Sequence, residues 1–427
     1  MHTYEHSVYI DPEKCNGCTT CLKHCPTEAI RIKDNHAVIN PDRCIDCGEC
    51  VRMCPSKAKK AMSNKLRDLE KFRYKIALPA PTLYGQFDNL DNADYCLDGL
   101  LKIGFDDVFE VSAAAELVSA YTRMYLKTEG IKKPVISSAC PVVLRLIALR
   151  FPFLKENVMQ MLSPMEVAAK LAREKALSEH PELKPEDIGV CFISPCPGKV
   201  SYVKNGFGGY KSQVDVVVSI SEVYFKLINE MKPDADVKSM SSSGRIGIGW
   251  ASSGGEATAI FNENYLAADG IENVIRVLDQ IENGNIPKLE FIELNACTGG
   301  CVGGVMTVQN PFIAKARLQS LRRYLPVSLN KVSDDQSYIP DSYFFDSFPA
   351  YEPISRLSSN MAESMRMMAD IQRLKDELPG IDCGACGAPN CRAFALDVVR
   401  GQANKSDCII TMRDEIKNYL KLKGDKE

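Results

Sequence analysis

The sequence of 427 residues lacks several features that would decide the class of a protein at once. It has no apolar run of the roughly 18 residues that a transmembrane helix needs. Its first residues lack the charged and apolar regions of a signal peptide. No basic block stands out and the net charge is only −3, so nucleic acid is disfavoured as a main partner. These absences indicate a cytoplasmic protein without a membrane span.

Tryptophan and histidine are scarce, at one and five residues, whereas cysteine is abundant at 18. Many cysteines could form the disulfides of a secreted domain, but these fall in tight groups separated by long ordinary stretches. That spacing is typical of thiolates that bind metal in a reducing compartment. The length of the chain predicts roughly two to four domains.

An internal repeat of cysteines lies near the N-terminus. The pattern C-x2-C-x2-C-x3-C-P occurs twice, which is the bacterial arrangement for a pair of [4Fe–4S] clusters. Three closely spaced cysteines bind one cluster and the fourth binds the other. The predicted first set is Cys15, Cys18, Cys21 and Cys54, and the second set is Cys44, Cys47, Cys50 and Cys25. We therefore predict a ferredoxin-like domain over residues 1–62, with a hairpin between its halves; structural zinc is the alternative.

A further group of four cysteines lies near the C-terminus. Its members are Cys383, Cys386, Cys391 and Cys408. Glycine and proline between them suit a tight ligand loop. We predict a third accessory [4Fe–4S] cluster, with structural zinc as the alternative, in a domain over residues 356–427. This domain begins with a methionine-rich helix, whose methionines are expected to pack. The cysteine segment resembles the small iron–sulfur domain of corrinoid-protein and electron-transport subunits.

Residues 75–345 alternate short apolar runs with longer amphipathic stretches. The runs at 135–136, 190–193, 214–218 and 291–294 predict strands. A strand followed by a helix, repeated along the chain, is typical of parallel sheets. We therefore predict an α/β core domain with two lobes and mainly parallel sheets, flanked by the two small iron–sulfur domains.

Four more cysteines follow these predicted strands directly. They are Cys140, Cys196, Cys297 and Cys301. In open α/β sheets, ligands bind at the carboxyl ends of the strands because the loops converge there. The sequence therefore predicts a site of four thiolates, the alternative being four unrelated buried cysteines. Packing roles are predicted for the remaining two cysteines, Cys96 and Cys191.

The segments around these four cysteines resemble the three signature loops of [FeFe]-hydrogenases. They read SSACPVV, SPCPGK and IELNACTGGCVGG, in the family's order, and the similarity covers essentially the whole chain. The resemblance implies an H-cluster, which is a [4Fe–4S] cubane joined through one cysteine to a diiron unit with carbonyl, cyanide and dithiolate ligands. By position, Cys140, Cys196, Cys297 and Cys301 match the cubane ligands. Cys301 matches the bridge to the diiron unit, and Lys199 matches the lysine that hydrogen-bonds a cyanide.

The sequence departs from the family pattern around this site. Ala139 stands where efficient hydrogenases have a proton-carrying cysteine, and Ser194 and Asn295 stand where they have methionine. Polar groups there are expected to change the properties of the cluster. Positions where the family has acids hold Tyr202, Tyr121 and Thr122. Since a methyl group carries no proton, we expect turnover to be slower by about two or more orders of magnitude.

These departures resemble the sensory branches of the family, groups C and D. The chain ends at Glu427 without a PAS domain, so a signal is expected to leave through a partner. We predict an oxidoreductase that activates H2 reversibly at a low rate and passes electrons through its accessory clusters, with exits at both ends, to a redox or signalling protein. Hydrogenase maturation proteins are implied partners, and a homodimer is considered. The alternatives are a competent hydrogenase in a multi-subunit complex and a non-catalytic iron–sulfur scaffold.

Overall fold

The computed structural model describes residues 4–231, 237–333, 336, 338–349, 357–358 and 360–424. Residues 1–3 of the predicted N-terminal domain, residues 232–236, 334–335 and 337 of the predicted core domain, and residues 356, 359 and 425–427 of the predicted C-terminal domain lie outside these ranges. Among the described residues, no helix combines the length and the apolar character that crossing a membrane requires.

Strands in the described part of the chain form four sheets. In chain order they are β1 Val8–Ile10, β2 Ile30–Lys33, β3 His36–Ile39, β4 Lys59–Ala61, β5 Tyr74–Pro79, β6 Asp107–Val108, β7 Val135–Ile136, β8 Ile188–Ser194, β9 Val216–Ser219, β10 Tyr265–Asp269 and β11 Phe291–Asn295. Two sheets are parallel, with the strand orders β6-β5-β8-β9 and β10-β11-β7. The parallel sheets predicted from the alternating pattern are therefore present.

Helices connect and cover these strands. In chain order they are α1 Thr20–Lys23, α2 Glu49–Arg52, α3 Asp94–Lys102, α4 Val111–Tyr125, α5 Pro141–Arg150, α6 Pro164–Glu179, α7 Pro197–Asn205, α8 Ile220–Glu230, α9 Arg245–Gly249, α10 Gly255–Ala259, α11 Ile271–Glu282, α12 Pro311–Leu321, α13 Met361–Glu377, α14 Cys391–Val399 and α15 Ile409–Gly424.

Strand β8 lies inside the four-stranded sheet because it is apolar on both faces. All seven of its residues are buried, as a parallel strand covered on both sides requires. Val190 and Phe192 pack into one apolar cluster, whereas Cys191 and Ile193 pack into a second cluster on the other face. Cys96 belongs to that second cluster. The packing roles predicted for Cys96 and Cys191 are therefore confirmed.

The three-stranded parallel sheet brings β7 and β11 side by side. Phe291 pairs with Val135, and Ile292 pairs with Ile136. Apolar residues of α5 and α11 cover Ile136 and Ile292 in one cluster. The carboxyl ends of β7 and β11 therefore open at the same edge, where the predicted ligand loops begin.

The N-terminal module is held together by two antiparallel pairs of short strands. β1 pairs with β4, and β2 pairs with β3 in the hairpin that the sequence predicts. Because β1 and β4 stand at the two ends of the module, their pairing brings the two halves of the cysteine repeat together.

Three of the four methionines of helix α13 contradict the expectation that they pack, whereas Met367 is half-buried. Met361, Met365 and Met368 are 77%, 67% and 62% exposed. The helix instead contacts the C-terminal apolar cluster through Ile371 and Leu374, which lie one to two turns further along.

Candidate active site and metal centres

Four cysteines from three loops meet at the carboxyl ends of the parallel strands. Cys140 follows β7, Cys196 follows β8, and Cys297 and Cys301 follow β11. All four line one cavity of about 80 Å³. Cys140 and Cys196 each stand directly before a helix whose first residue is proline. Proline suits that position because it needs no hydrogen-bond partner for its nitrogen.

The loop of Cys297 and Cys301 packs against the chain too closely for side chains at two glycines. A Cβ atom on Gly300 would lie 2.4 Å from the backbone nitrogen of Ser253, and φ of Gly300 is +91°. A Cβ atom on Gly303 would lie 2.0 Å from the carbonyl oxygen of Thr298. Glycine at these positions therefore lets the ligand loop fold tightly at the cavity wall.

Burial makes three of these thiols hard to ionise without a cation. It raises the pKa of Cys196 to about 12 and that of Cys301 to about 11, while the nearby Lys199 ammonium opposes both rises. Burial also raises the pKa of Cys297. Thiolates are the metal-binding form of cysteine, and a bound metal supplies the charge that stabilises them. The donor set thus fits an iron–sulfur cluster.

Lys199 and Thr82 are among the polar side chains that line the cavity beside the thiols. Lys199, on α7, donates from Nζ to the Ala139 carbonyl at 3.5 Å. Thr82 has a buried hydroxyl with no hydrogen-bond partner among the described residues. A buried hydroxyl without a partner is unfavourable, so this group fits a further polar or anionic ligand in the cavity.

Three residues next to the central cysteines differ from the family pattern. Two of them line the cavity and one does not. Ala139 and Asn295 are lining residues. Asn295 donates from Nδ2 to the Glu293 carboxylate at 2.6 Å. The Ser194 hydroxyl instead bonds the backbone of Cys196, donating to its carbonyl at 3.0 Å and accepting from its N–H at 3.1 Å. Ser194 therefore shapes the ligand loop, and its hydroxyl is already engaged.

The positions where the family has acids are occupied by packed side chains. The Thr122 hydroxyl donates to the Val118 carbonyl within α4 at 2.8 Å. The Tyr121 ring lies 5.1 Å from that of Tyr343. Tyr202 lies beside Ala139 at a second, smaller cavity, and burial raises its pKa far above the usual range. Tyr202 therefore remains neutral at ordinary pH.

Sequence reasoning missed a pair of buried glutamates at the cavity. Glu256 and Glu293 both line it, although they are 37 positions apart and belong to α10 and β11. Ser137 donates its hydroxyl to Glu256 at distances of 2.8 and 2.7 Å from the two carboxylate oxygens. Glu293 accepts from the N–H groups of Gly254 at 3.0 Å and Ala257 at 2.8 Å. The sequence feature that could have revealed this pair is the acidic residue Glu293 within the mainly apolar strand FIELN.

The two carboxyl groups have different environments, and this separates their roles. Burial and the neighbouring Glu293 raise the pKa of Glu256 to about 8. Burial raises the pKa of Glu293 too, but backbone N–H groups and Asn295 oppose that rise. Because hydrogen-bond donors favour the charged form of a carboxyl group, Glu293 is the member of the pair better suited to be ionised. Glu256 is then the member that holds a proton near neutral pH.

In each of the two predicted sets of N-terminal cysteines the thiols lie near one another, and the division of the eight ligands between two clusters stays a prediction. Burial raises the pKa of Cys21, and the thiols of Cys15, Cys18 and Cys54 add to the rise. Burial likewise raises the pKa of Cys47, with further contributions from Cys25, Cys50 and Cys44. Each predicted set contains three cysteines of one half of the repeat and the last cysteine of the other half.

The second N-terminal group lies on the side of the module that faces the central cavity. Arg145 of α5 donates to the Cys44 carbonyl at 2.7 Å. Arg52 of α2 donates to the Gly303 carbonyl at 2.6 Å, in the ligand loop of the cavity. Gly48 packs directly against Val305 at the end of the same loop. The module is therefore attached to the loops that surround the four central cysteines.

The four C-terminal cysteines also converge on one site. Cys383, Cys386, Cys391 and Cys408 line a single small cavity. The Asp382 carboxylate accepts from the Cys391 N–H at 2.7 Å, and Asn390 caps helix α14 through the Ala393 N–H at 2.7 Å. These contacts fix the loop that carries the first three cysteines, and α14 returns the chain toward the fourth.

The C-terminal cysteine segment docks on the N-terminal module. Arg31 of β2 donates to both oxygens of Asp397 on α14, at 2.5 and 3.1 Å. The Ile32 N–H donates to the Gly387 carbonyl at 2.9 Å. Lys23 donates to the carbonyls of Asp382 and Pro389. The three groups of accessory cysteines are thereby joined in one continuous body of packed chain.

Comparisons with known proteins match each of these regions. The family described as iron only hydrogenase large subunit, C-terminal domain, matches residues 73–266 and 256–305, which together exceed half of the chain. A 4Fe-4S dicluster domain matches residues 7–55, and an Fe-S cluster family matches residues 378–410.

Similarity to individual proteins is weaker. A protein of Methanocaldococcus jannaschii described as uncharacterized is 39% identical over 57 residues, or 13% of this chain and 25% of its own length. The apo form of a variant of [FeFe]-hydrogenase HydA1 from Chlamydomonas reinhardtii has a TM-score of 0.48 at 16% identity, over 62% of this chain and 88% of that one. Another variant of the same enzyme has a TM-score of 0.47 at 16% identity, over 60% and 86%. Because the family model matches more than half of its residues, this chain belongs to the iron-only hydrogenase large-subunit family.

Proposed function

We propose that the chain is an H-cluster protein that interconverts H2 with protons and electrons at a low rate and serves in redox or H2 signalling. The observation that supports this most directly is the convergence of four thiols, an ammonium group and a buried acid pair on one cavity. A carrier of iron–sulfur clusters alone would need the thiols but neither Lys199 nor the acid pair. The non-catalytic scaffold is therefore the weaker alternative.

Different residues of the cavity would bind different parts of the cofactor. Cys140, Cys196, Cys297 and Cys301 would bind the cubane, and Cys301 would also be shared with the diiron unit. Lys199 and Thr82 would donate hydrogen bonds to anionic ligands, since both are polar and one has no other partner. When bound, the diiron unit supplies the chemistry of making and breaking the H–H bond.

Proton transfer is assigned to the glutamate pair. Glu256 lines the cavity and has a pKa raised to about 8, mainly by burial. A general acid works best when its pKa lies near the working pH, and Glu256 meets this condition. The Ser137 hydroxyl donates to its carboxyl group, and Glu293 accepts from the N–H groups of Gly254 and Ala257, which flank Glu256 in the chain.

A low rate is expected because residues that do not readily give up a proton stand where efficient hydrogenases have proton-transfer residues. Ala139 offers no proton at the cavity wall, and Thr122 and Tyr121 offer no carboxyl group beyond it. Loss of one positioned proton-transfer group usually costs roughly 10²–10⁴-fold in rate. The glutamate pair restores part of this loss. A high rate in solution would instead favour the competent hydrogenase in a larger complex.

Electrons are proposed to pass from the central site through the N-terminal clusters to the C-terminal cluster, one after another. The second N-terminal group adjoins the central ligand loop, and the C-terminal segment docks on the N-terminal module. The sequence suggested separate exits at the two ends of the chain. The docking favours one route, in which the C-terminal cluster is the outer station and a redox or signalling partner binds near it.

Infrared spectroscopy tests the proposed function. The full chain is matured with hydrogenase maturation proteins, and a sample prepared without them is the control. Carbonyl and cyanide bands are expected in the matured sample alone, and they should shift when H2 is added. Matured protein with a full complement of cubane iron but no such bands would refute the proposal and favour the scaffold.

The C-terminal site gives a separate prediction about metal content. Cys386→Ala removes one of the four thiols that line the small cavity, so we expect iron to fall by about one cubane per chain. Metal analysis by mass spectrometry measures this, with Cys96→Ala as the control because Cys96 is buried in an apolar cluster. Unchanged iron together with a loss of zinc would show that the site is a structural zinc site.

A further inference from the structure

Lys59 lies in the interior of the N-terminal module although it carries a charge. It belongs to β4, opposite Ile10 of β1, and only 3% of its surface is exposed. Its Nζ atom is buried without a hydrogen-bond partner among the described residues. An ammonium buried without compensation is strongly unfavourable. Lys59 therefore indicates that a negative group occupies the space beside it when the protein is loaded.

The internal repeat shows that packing alone does not call for a charge at this position. The sequence CPTEAI, which ends at Ile30, corresponds in the second half to CPSKAK, which ends at Lys59. Ile30 is buried to the same extent, with 2% of its surface exposed, and it lies in an apolar cluster with Leu22. The module thus accepts an apolar side chain at the equivalent position, and Lys59 adds a charge that the core does not need.

Cysteines of both N-terminal groups lie next to the strand pair that carries Lys59. Residues directly opposite each other in an antiparallel pair have their side chains on one face, so the side chain of Lys59 lies beside that of Ile10. Ile10 packs in one cluster with Cys21 of the first group and Cys50 of the second group. The buried ammonium therefore lies near cluster ligands of both groups.

We propose that Lys59 sets the reduction potentials of the paired clusters by placing one cation beside both of them. This rests on the proposed function, in which these eight cysteines hold two [4Fe–4S] clusters. A cluster with four thiolates is an anion, and it gains one more negative charge when it accepts an electron. A fixed cation nearby stabilises the reduced form more than the oxidised form and raises the potential.

As a consequence, the paired clusters can hold the two electrons that come from one H2 molecule. Oxidation of H2 at the central site releases two protons and two electrons. The eight cysteines would hold two clusters that could each take up one of these electrons, so no further oxidant would be needed. With Lys59 in place, the electrons are drawn away from the central site and held in the module on which the C-terminal domain docks.

The test compares two lysines of the same strand in the full chain. Lys59→Met removes the buried charge at nearly constant volume, and Lys60→Met removes the neighbouring charge, which is exposed. Redox titration followed by EPR measures the reduced fraction of the pair. For Lys59→Met we expect the ratio of reduced to oxidised clusters at a given potential to fall at least tenfold, which is 59 mV for one electron. Lys60→Met is expected to match the wild type.

Iron analysis separates the possible failures. Full iron content with an unchanged potential in Lys59→Met would overturn the inference. If that variant does not retain its clusters, Lys59→Arg decides the matter: normal iron and potential support the charge, and loss of iron here too overturns it. Wild-type protein without iron at the N-terminal cysteines would refute the proposed function instead, and this is seen before any variant is made.

Discussion

Replacing Cys301 with alanine is expected to abolish the carbonyl and cyanide infrared bands of the matured protein and to reduce H2 turnover to background. Cys301 lines the cavity with Lys199, and in the proposed function it joins the cubane to the diiron unit. Without this thiolate, no protein ligand would link the two parts of the cofactor. Infrared spectra and H2 evolution from a reduced viologen dye measure the two effects.

The control for this variant is Cys191→Ala. Cys191 is fully buried in β8, close in sequence to a ligand loop, but it packs into an apolar cluster and does not line the cavity. Its loss should leave the bands in place. Bands of wild-type intensity in Cys301→Ala would show that Cys301 is not the bridging residue.

Replacing Glu256 with glutamine is expected to lower H2 evolution and oxidation by about 10²-fold, the usual scale for a positioned proton donor. Glutamine keeps the shape of the side chain and can still accept a hydrogen bond from Ser137, but it cannot give up and recover a proton. The infrared bands of the cofactor should persist, because Glu256 is not a ligand. Activity at the wild-type rate would remove Glu256 from the proton route.

The dependence of the rate on pH provides a second measurement of the same role. Below its pKa of about 8 Glu256 carries the proton, and as pH rises through that value the proton is lost. H2 evolution by the wild type should therefore decline on the alkaline side of pH 8. The residual activity of Glu256→Gln should lack this decline, since the amide does not titrate.

Glu290→Gln is the matched control for the glutamate variant. Glu290 directly precedes β11, and its side chain is half-exposed and pairs with Lys133 at 3.1 Å, away from the cavity. It should retain the wild-type rate and pH profile. A similar loss in both variants would indicate a general effect of removing a carboxylate and not a role of Glu256 in proton transfer.

Much of the candidate site could be predicted from the sequence because cluster ligands are arranged locally. A loop such as the one from Cys15 to Cys21 can wrap a cluster only at a short and regular spacing, so the spacing itself predicts the site. The central cysteines were predictable for another reason: each follows an apolar strand, and parallel strands end at a common edge. The exposed Met365 shows where prediction from sequence failed. Which face of a helix is buried depends on the segment that packs against it, and the sequence of the helix alone does not identify that segment.

What the sequence by itself determined is therefore the number, type and grouping of the ligands and the parallel fold that carries them. The tertiary structure alone decided three further points. It brought Glu256 and Glu293 to one cavity, joined Arg31 to Asp397, and buried Lys59 beside cysteines of both N-terminal groups. Each of these depends on contacts between segments distant in the chain. Burial and neighbouring charge, which set the proton affinity of a carboxyl group and the potential of a cluster, exist only once those segments have packed.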